Sequence, residues 1–216
     1  MHVIYGGTFD PIHHGHLRLA IELKERLGVS EVSLVPCHIP PHRGSTDASS
    51  AQRLALLQLA VADEPGLIVD DRELTRSGAS YTADTLRQLR EQLGEHEPLV
   101  MVVGTDAFAG FDRWREWERI PQLAHVVVVK RPGPALEPLG VPAKLLQERG
   151  VSSADQLHSA PGGYCLELDP PLLDISATGI RERILSGHSP RYLLPDPVWQ
   201  EIRRLGLYSA CPDENF

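Results

Sequence analysis

Three histidines fall within four residues, His13, His14 and His16, close behind the run Gly6-Gly7-Thr8-Phe9-Asp10-Pro11-Ile12. Imidazoles beside adjacent glycines point to phosphate chemistry. Glycine lacks Cβ and lets a ligand approach the backbone closely. An apolar strand, His2–Tyr5, precedes the run, and a helix is expected from near Leu17. The free N–H groups and the dipole at such a helix start favour an anion. His13 and His16, three apart, can share one helix face. His14 points elsewhere and reads as a solvated or packing residue. A metal reading of the three would need a further convergent ligand at tetrahedral spacing. The pattern is not G-x-G-x-x-G, since the glycines are adjacent, and it is not G-x-x-x-x-G-K-[ST].

A second constellation lies far along the chain, at Ile175-Ser176-Ala177-Thr178-Gly179-Ile180-Arg181. Ser176 or Thr178 can cap a helix whose N–H groups then face a phosphate. Arg181, one turn in, adds a fork of donors. Alone such a start is only a cap; paired with the histidine run it becomes a candidate clamp.

The bulk of the chain suits that chemistry. Its 216 residues allow one sizeable α/β domain, taken as residues 1–216, and 42% hydrophobic with 23% charged content is ordinary for a globular protein. No apolar run approaches a membrane span, and no signal peptide is expected ahead of the first strand. Cys37, Cys165 and Cys211 form no C-x-x-C pair and read as reduced thiols of a cytoplasmic protein. A net charge of -8 argues against a nucleic-acid surface. Six of the ten histidines lie at or before His42, so the basic character is local and suits a small anion.

The elements that would position these residues alternate. Strands are expected at Val32–Val35, Leu67–Val69, Leu99–Val103 and His125–Val129, with a candidate sixth at Tyr164–Leu168. The first helix carries Leu17, Ala20, Ile21 and Leu27 and stops at Gly28. Ser49-x-x-Gln52 is a capping box for a second helix, with Leu54, Leu57 and Val61 on one face. A third follows Ser80-Tyr81-Thr82 and ends at Gly94. A short helical region holds Phe108, Phe111, Trp114 and Trp117. Residues 133–163 read as an irregular insertion. Helices from Ile175 to about Leu185 and over Asp196–Arg204 close the chain. Continuous apolar strands alternating with helices imply a doubly wound parallel sheet of Rossmann-like α/β class, in the order 3-2-1-4-5. In that order the loops after strands one and four flank one crevice.

With these motifs in hand, the chain resembles the nucleotidylyltransferase superfamily. Gly6-Gly7-Thr8-Phe9-Asp10-Pro11 with His13-x-Gly15-His16 is similar to its opening signature, and Ile175–Arg181 to its I-S-S-T-x-I-R signature. Pro40-Pro41-His42-Arg43, Ser80-Tyr81-Thr82, Gly104-Thr105-Asp106 and Trp114 look like the bacterial nicotinate-mononucleotide adenylyltransferases. The likeness runs from end to end, including Tyr192–Tyr208. Three departures are Ala177 in place of a second serine, Arg43 in place of lysine, and Thr105 in place of alanine.

The resemblance implies transfer of AMP from ATP to nicotinate mononucleotide in NAD biosynthesis, giving deamido-NAD and pyrophosphate with Mg²⁺ carried on the substrate phosphates. It implies ATP contacts from Gly6, Gly7, His13, His16, Gly104, Asp106, Arg131, Ile175, Thr178 and Arg181, with His13, His16 and Arg181 catalytic. It implies nicotinate mononucleotide contacts from Thr8, Phe9, Arg43, Ser80, Tyr81, Thr82, Asp106 and Trp114. From spacing alone Trp114 is as readily a core aromatic, and Asp106 a turn residue. The oligomeric state stays open between monomer and homodimer.

Rival readings are a phosphopantetheine adenylyltransferase of the same fold, a class I aminoacyl-tRNA synthetase fragment, and a nucleotide sensor without turnover. The first has no evident need for Ser80-Tyr81-Thr82 and Trp114. The second would carry K-M-S-K-S and a basic surface. The third would not keep His13, His16, Thr178 and Arg181 together.

Overall fold

A computed structural model describes residues 1–38, 46–76, 78–131 and 136–209. Seven strands form one sheet: β1 His2–Gly7, β2 Val32–Pro36, β3 Leu67–Val69, β4 Leu99–Gly104, β5 His125–Val129, β6 Gly150–Val151 and β7 Cys165–Leu168. Every pairing is parallel and the order is β3-β2-β1-β4-β5-β7-β6. The expected order holds, and two strands extend it beyond β5.

The strands are apolar at successive positions because both faces are covered. Val3 and Tyr5 belong to one core cluster and Ile4 to the other; Val127 and Val129 likewise face away from Val126 and Val128. A strand with period two must be apolar throughout when helices pack on both sides. Those helices are α1 His14–Arg26, α2 Ser50–Val61, α3 Thr82–Leu93, α4 Thr105–Phe108, α5 Ile120–Leu123, α6 Val141–Arg149, α7 Ala177–Leu185 and α8 Asp196–Arg204.

Local signals explain several boundaries. Ser49 and Gln52 form the expected capping box at α2. The α3 helix ends at Gly94, whose φ of 83° suits glycine. The α8 bounds fall as expected.

Three expectations change. The first helix begins at His14 rather than near Leu17, so His14, Gly15 and His16 form its first turn. The 133–163 stretch is not all irregular: it holds α6, β6 and a 3-10 turn over Ala154–Ser159. Gly140 and Pro142 mark the start of α6, with Pro142 in its first turn, where a missing N–H costs nothing. The buried side of α2 is Arg53, Leu56, Leu57 and Val61, while Leu54 is half-buried. The face is rotated because it includes a charged residue that hydrophobic spacing passes over.

Candidate active site

The carboxyl ends of β1, β2 and β4 open onto a cleft of about 970 Å³. It lies where the chain reverses direction across the sheet, between β1 and β4. Thirteen of the expected site residues line it: Gly6, Gly7, Thr8, Phe9, His16, Ser80, Tyr81, Thr82, Gly104, Asp106, Trp114, Arg131 and Arg181. Arg43 lies outside the described residues.

The two glycines of β1 do different work. A Cβ on Gly6 would meet nothing within 4 Å, so its absence leaves open cleft. A Cβ on Gly7 would lie 2.7 Å from the Phe9 ring, so that glycine lets Phe9 fold back into the core. Phe9 packs edge-on against both Tyr5 and His16, at 5.8 and 5.1 Å between centroids.

His13 departs from expectation. It is the N-cap of α1, only 4% exposed, and does not line the cleft. Its ring stacks on that of His16, with centroids 3.7 Å apart. Burial first, then the charges of Arg131 and His14, lower its pKa to about 4, so it is neutral at pH 7. His13 Nδ1 is buried with no hydrogen-bond partner among the described residues. His16 is the imidazole that reaches the cleft.

The other half of the clamp is also placed differently from expectation. Ser176 caps α7, its hydroxyl accepting from Gly179 N–H at 3.0 Å. The helix then begins at Ala177, and Ala177 and Arg181, four apart, share the face turned to the cleft. Thr178 lies one step around the helix and is exposed, while Ile175 lines a separate hollow with Ser176 and Gly179. Neither borders the cleft. Arg181 does, but it already donates through Nη1 to the Asp10 carbonyl at 2.8 Å and through Nε to Asp47 at 2.7 Å.

Arg131, after β5, donates to the Tyr5 hydroxyl at 3.2 Å. Burial raises the Tyr5 pKa, against the pull of Arg131, so the phenol is neutral. A side chain on Gly104 would collide with Asp106 and Arg131, which therefore sit over the backbone at the end of β4.

At the opposite end of the cleft, Tyr81 is the N-cap of α3 and its side chain makes no capping bond. The first-turn N–H groups of α3 therefore lack a side-chain cap from Tyr81. The Ser80 hydroxyl accepts from His38 N–H at 2.9 Å, joining this turn to the β2 loop. Trp114 packs on Phe111 at 5.4 Å, and the Arg115 guanidinium lies 4.7 Å above the Tyr81 ring.

Sequence reasoning missed residues whose partners are distant. The Asp10 carboxylate accepts from Asp47 N–H at 3.0 Å, Ala48 N–H at 3.2 Å and the Tyr208 hydroxyl at 2.7 Å. Burial and the Asp10 charge raise the Tyr208 pKa, keeping that hydroxyl a donor. Asp10 thus ties the opening loop to the start of α2 and to the chain end. Arg113 and Arg115 flank Trp114 and both line the cleft; two arginines around a tryptophan were the available signal. Among the described residues, no cluster of three His, Cys, Asp or Glu side chains is placed to hold a metal ion, and no helix is long and apolar enough to cross a membrane.

A parallel sheet with a histidine pair and two arginines at its switch point defines a nucleotidyl-transferring class of site. Residues 4–183 match the cytidylyltransferase-like family, to which the chain belongs. A Marinobacter nauticus protein named "Probable nicotinate-nucleotide adenylyltransferase" is 68% identical over 99% of each chain. One of the same name from Cellvibrio japonicus is 50% identical over 95% of this chain and 97% of its own. At these identities over nearly whole lengths, the chain belongs, within the larger family, to the nicotinate-nucleotide adenylyltransferases. The nicotinic acid mononucleotide adenylyltransferase of Plasmodium falciparum, complexed with NaAD, superposes with a TM-score of 0.72 at 16% identity, covering 95% of this chain and 96% of its own. That likeness speaks for the fold.

Proposed function

We propose that this chain joins nicotinate mononucleotide to the AMP part of ATP, forming deamido-NAD and releasing pyrophosphate. The observation that carries the reading is one cleft holding His16, Arg131 and Arg181 together with Ser80–Thr82 and Trp114. The first group suits a triphosphate and the second an aromatic acid.

The nucleophile is a phosphate oxygen of nicotinate mononucleotide, already ionised at neutral pH, so the reaction needs no general base. That oxygen attacks the α-phosphorus of ATP in line, and the bond to the β,γ-diphosphate breaks. The task left to the protein is to align two polyanions and stabilise added charge. His16 donates to the transferring phosphoryl group. His13 acts through it, as a neutral ring that fixes the His16 plane. Arg181 exchanges Asp47 for the β and γ phosphates, and Arg131 adds charge at the β4 side.

Mg²⁺ fits this site as a companion of ATP. Of the four carboxylates lining the cleft among the described residues, Asp10, Asp47 and Glu73 already accept from protein donors, so substrate phosphates, with Asp106 as the remaining carboxylate, would hold the ion. When bound it neutralises part of the triphosphate charge.

At the acceptor end, the first-turn N–H groups of α3 and the dipole of that helix favour a carboxylate. Trp114 offers a face for the pyridine ring. Arg43 is assigned to the acceptor phosphate.

Pyrophosphate release tests the reading. Rapid release with ATP plus nicotinate mononucleotide, and background release with phosphopantetheine, are expected. Faster release with phosphopantetheine overturns it in favour of the rival acceptor.

A further inference from the structure

The bulkiest fully buried side chain is a charged one, Arg53 of α2, at 0% exposure. Buried arginines ordinarily face a carboxylate. Among the described residues, none lies within 4.0 Å of this guanidinium. Its partners are neutral: Nη1 donates to the Thr8 carbonyl at 2.7 Å, and Nη2 to the Cys37 carbonyl at 2.7 Å, the His38 carbonyl at 3.0 Å and Ser50 Oγ at 3.1 Å.

These partners share a location. Thr8 follows β1, Cys37 and His38 follow β2, and Thr8 and Cys37 line the cleft. His38 carries the connection onward, because its N–H donates to Ser80 Oγ at 2.9 Å. One guanidinium therefore bridges the β1 and β2 loops, beyond the point where the two strands last meet directly through Cys37 N–H on the Gly7 carbonyl at 3.0 Å, and reaches through His38 the turn that opens α3. On the proposed assignment Thr8 and Ser80 belong to the acceptor half of the cleft. None of its hydrogen bonds reaches His16, Gly104, Asp106, Arg131 or Arg181. Arg53 itself does not border the cleft.

We propose that Arg53 is the positioning residue for the acceptor subsite, holding the loops after β1 and β2 at the separation that an anionic mononucleotide needs. The planar fork explains why arginine is used. Three carbonyls from two loops must be met by donors in one plane, and a lysine ammonium supplies a point charge without that geometry. A cation with no carboxylate beside it among the described residues also favours an anion in front of the loops. The inference rests on nicotinate mononucleotide occupying that half, so its test has a separate control.

The experiment measures dissociation constants for nicotinate mononucleotide and for a non-hydrolysable ATP analogue, by calorimetry, on wild type, Arg53→Lys and Arg53→Ala. Far-ultraviolet circular dichroism reports folding. Wild-type binding of nicotinate mononucleotide is the control, and its absence is a failure of the acceptor assignment rather than of Arg53. Given that control, both variants are expected to weaken the mononucleotide at least about tenfold, the scale of losing charge-assisted hydrogen bonds. The ATP analogue is expected to change by less than about twofold. Millimolar guanidinium chloride should restore mononucleotide binding in Arg53→Ala, and sodium chloride should not. Equal weakening of both ligands, unchanged binding, or loss of folding in both variants overturns the proposal.

Discussion

The rings of His13 and His16 lie stacked, 3.7 Å between centroids and 26° from parallel, with only His16 bordering the cleft. Two histidines of one motif thus occupy different places, one in the cleft and one behind it. His16→Ala is expected to lower kcat by about 10²–10³, the scale of losing one transition-state donor. His13→Phe keeps a flat neutral ring beneath His16 and should cost less than about tenfold. Steady-state kinetics on both variants check this, and near-normal turnover in His16→Ala removes it from the mechanism.

The buried state of His13 also sets a pH dependence. Its folded pKa is about 4, whereas an unfolded histidine titrates near the ordinary value of 6.5. Between those values the unfolded chain binds more protons, so stability rises with pH across the window. The contribution is fully present above about pH 7 and is lost as pH falls toward 4, by up to about 3 kcal/mol. Burial lowers His2 and His125 in the same direction. Urea unfolding at pH 7 and pH 5 should therefore show a smaller drop for His13→Phe than for wild type. Identical drops contradict the assignment.

Asp47 holds Arg181 Nε at 2.7 Å yet is itself 61% exposed. A pair with one partner this exposed is worth about 1 kcal/mol, so a triphosphate can displace it. Asp47→Asn keeps the backbone N–H that donates to Asp10 and removes the competing charge. KM for ATP should fall, by no more than about fivefold. A rise would mean that the carboxylate helps ATP rather than competing with it.

The uncapped start of α3 and the Trp114 face predict that the acid substrate is preferred over its amide. The ratio of kcat/KM for nicotinate mononucleotide over nicotinamide mononucleotide should exceed about tenfold, the scale of one charge-assisted hydrogen bond. Trp114→Ala should weaken both acceptors together, because stacking does not distinguish acid from amide. Equal values for the two acceptors in wild type contradict the reading.

Much of this arrangement was legible in the residues. Strand positions, their order and the bounds of α8 follow from apolar runs and from punctuation by Gly and Pro, which act locally. The pairing of His13 with His16 follows from their spacing. What escaped depends on contacts far apart in sequence. Asp10 meets Tyr208 across nearly the whole chain, and no local pattern announces that bond. Arg53 sits among leucines at a core position of α2, where hydrophobic spacing counts only its neighbours. Thr178 shows the converse: a motif names residues, but the cap at Ser176 sets the helix phase and turns Ala177 to the cleft in its place.

On the proposed mechanism transfer is direct between two substrates held in one cleft, with no adenylyl group passing through the protein. An ATP analogue chiral at the α-phosphorus, with sulfur replacing one oxygen, tests it in a single reaction with nicotinate mononucleotide. Inversion at phosphorus in the deamido-NAD product is expected, the result of one in-line displacement. Retention would require two displacements and a covalent adenylyl-enzyme, and would contradict it.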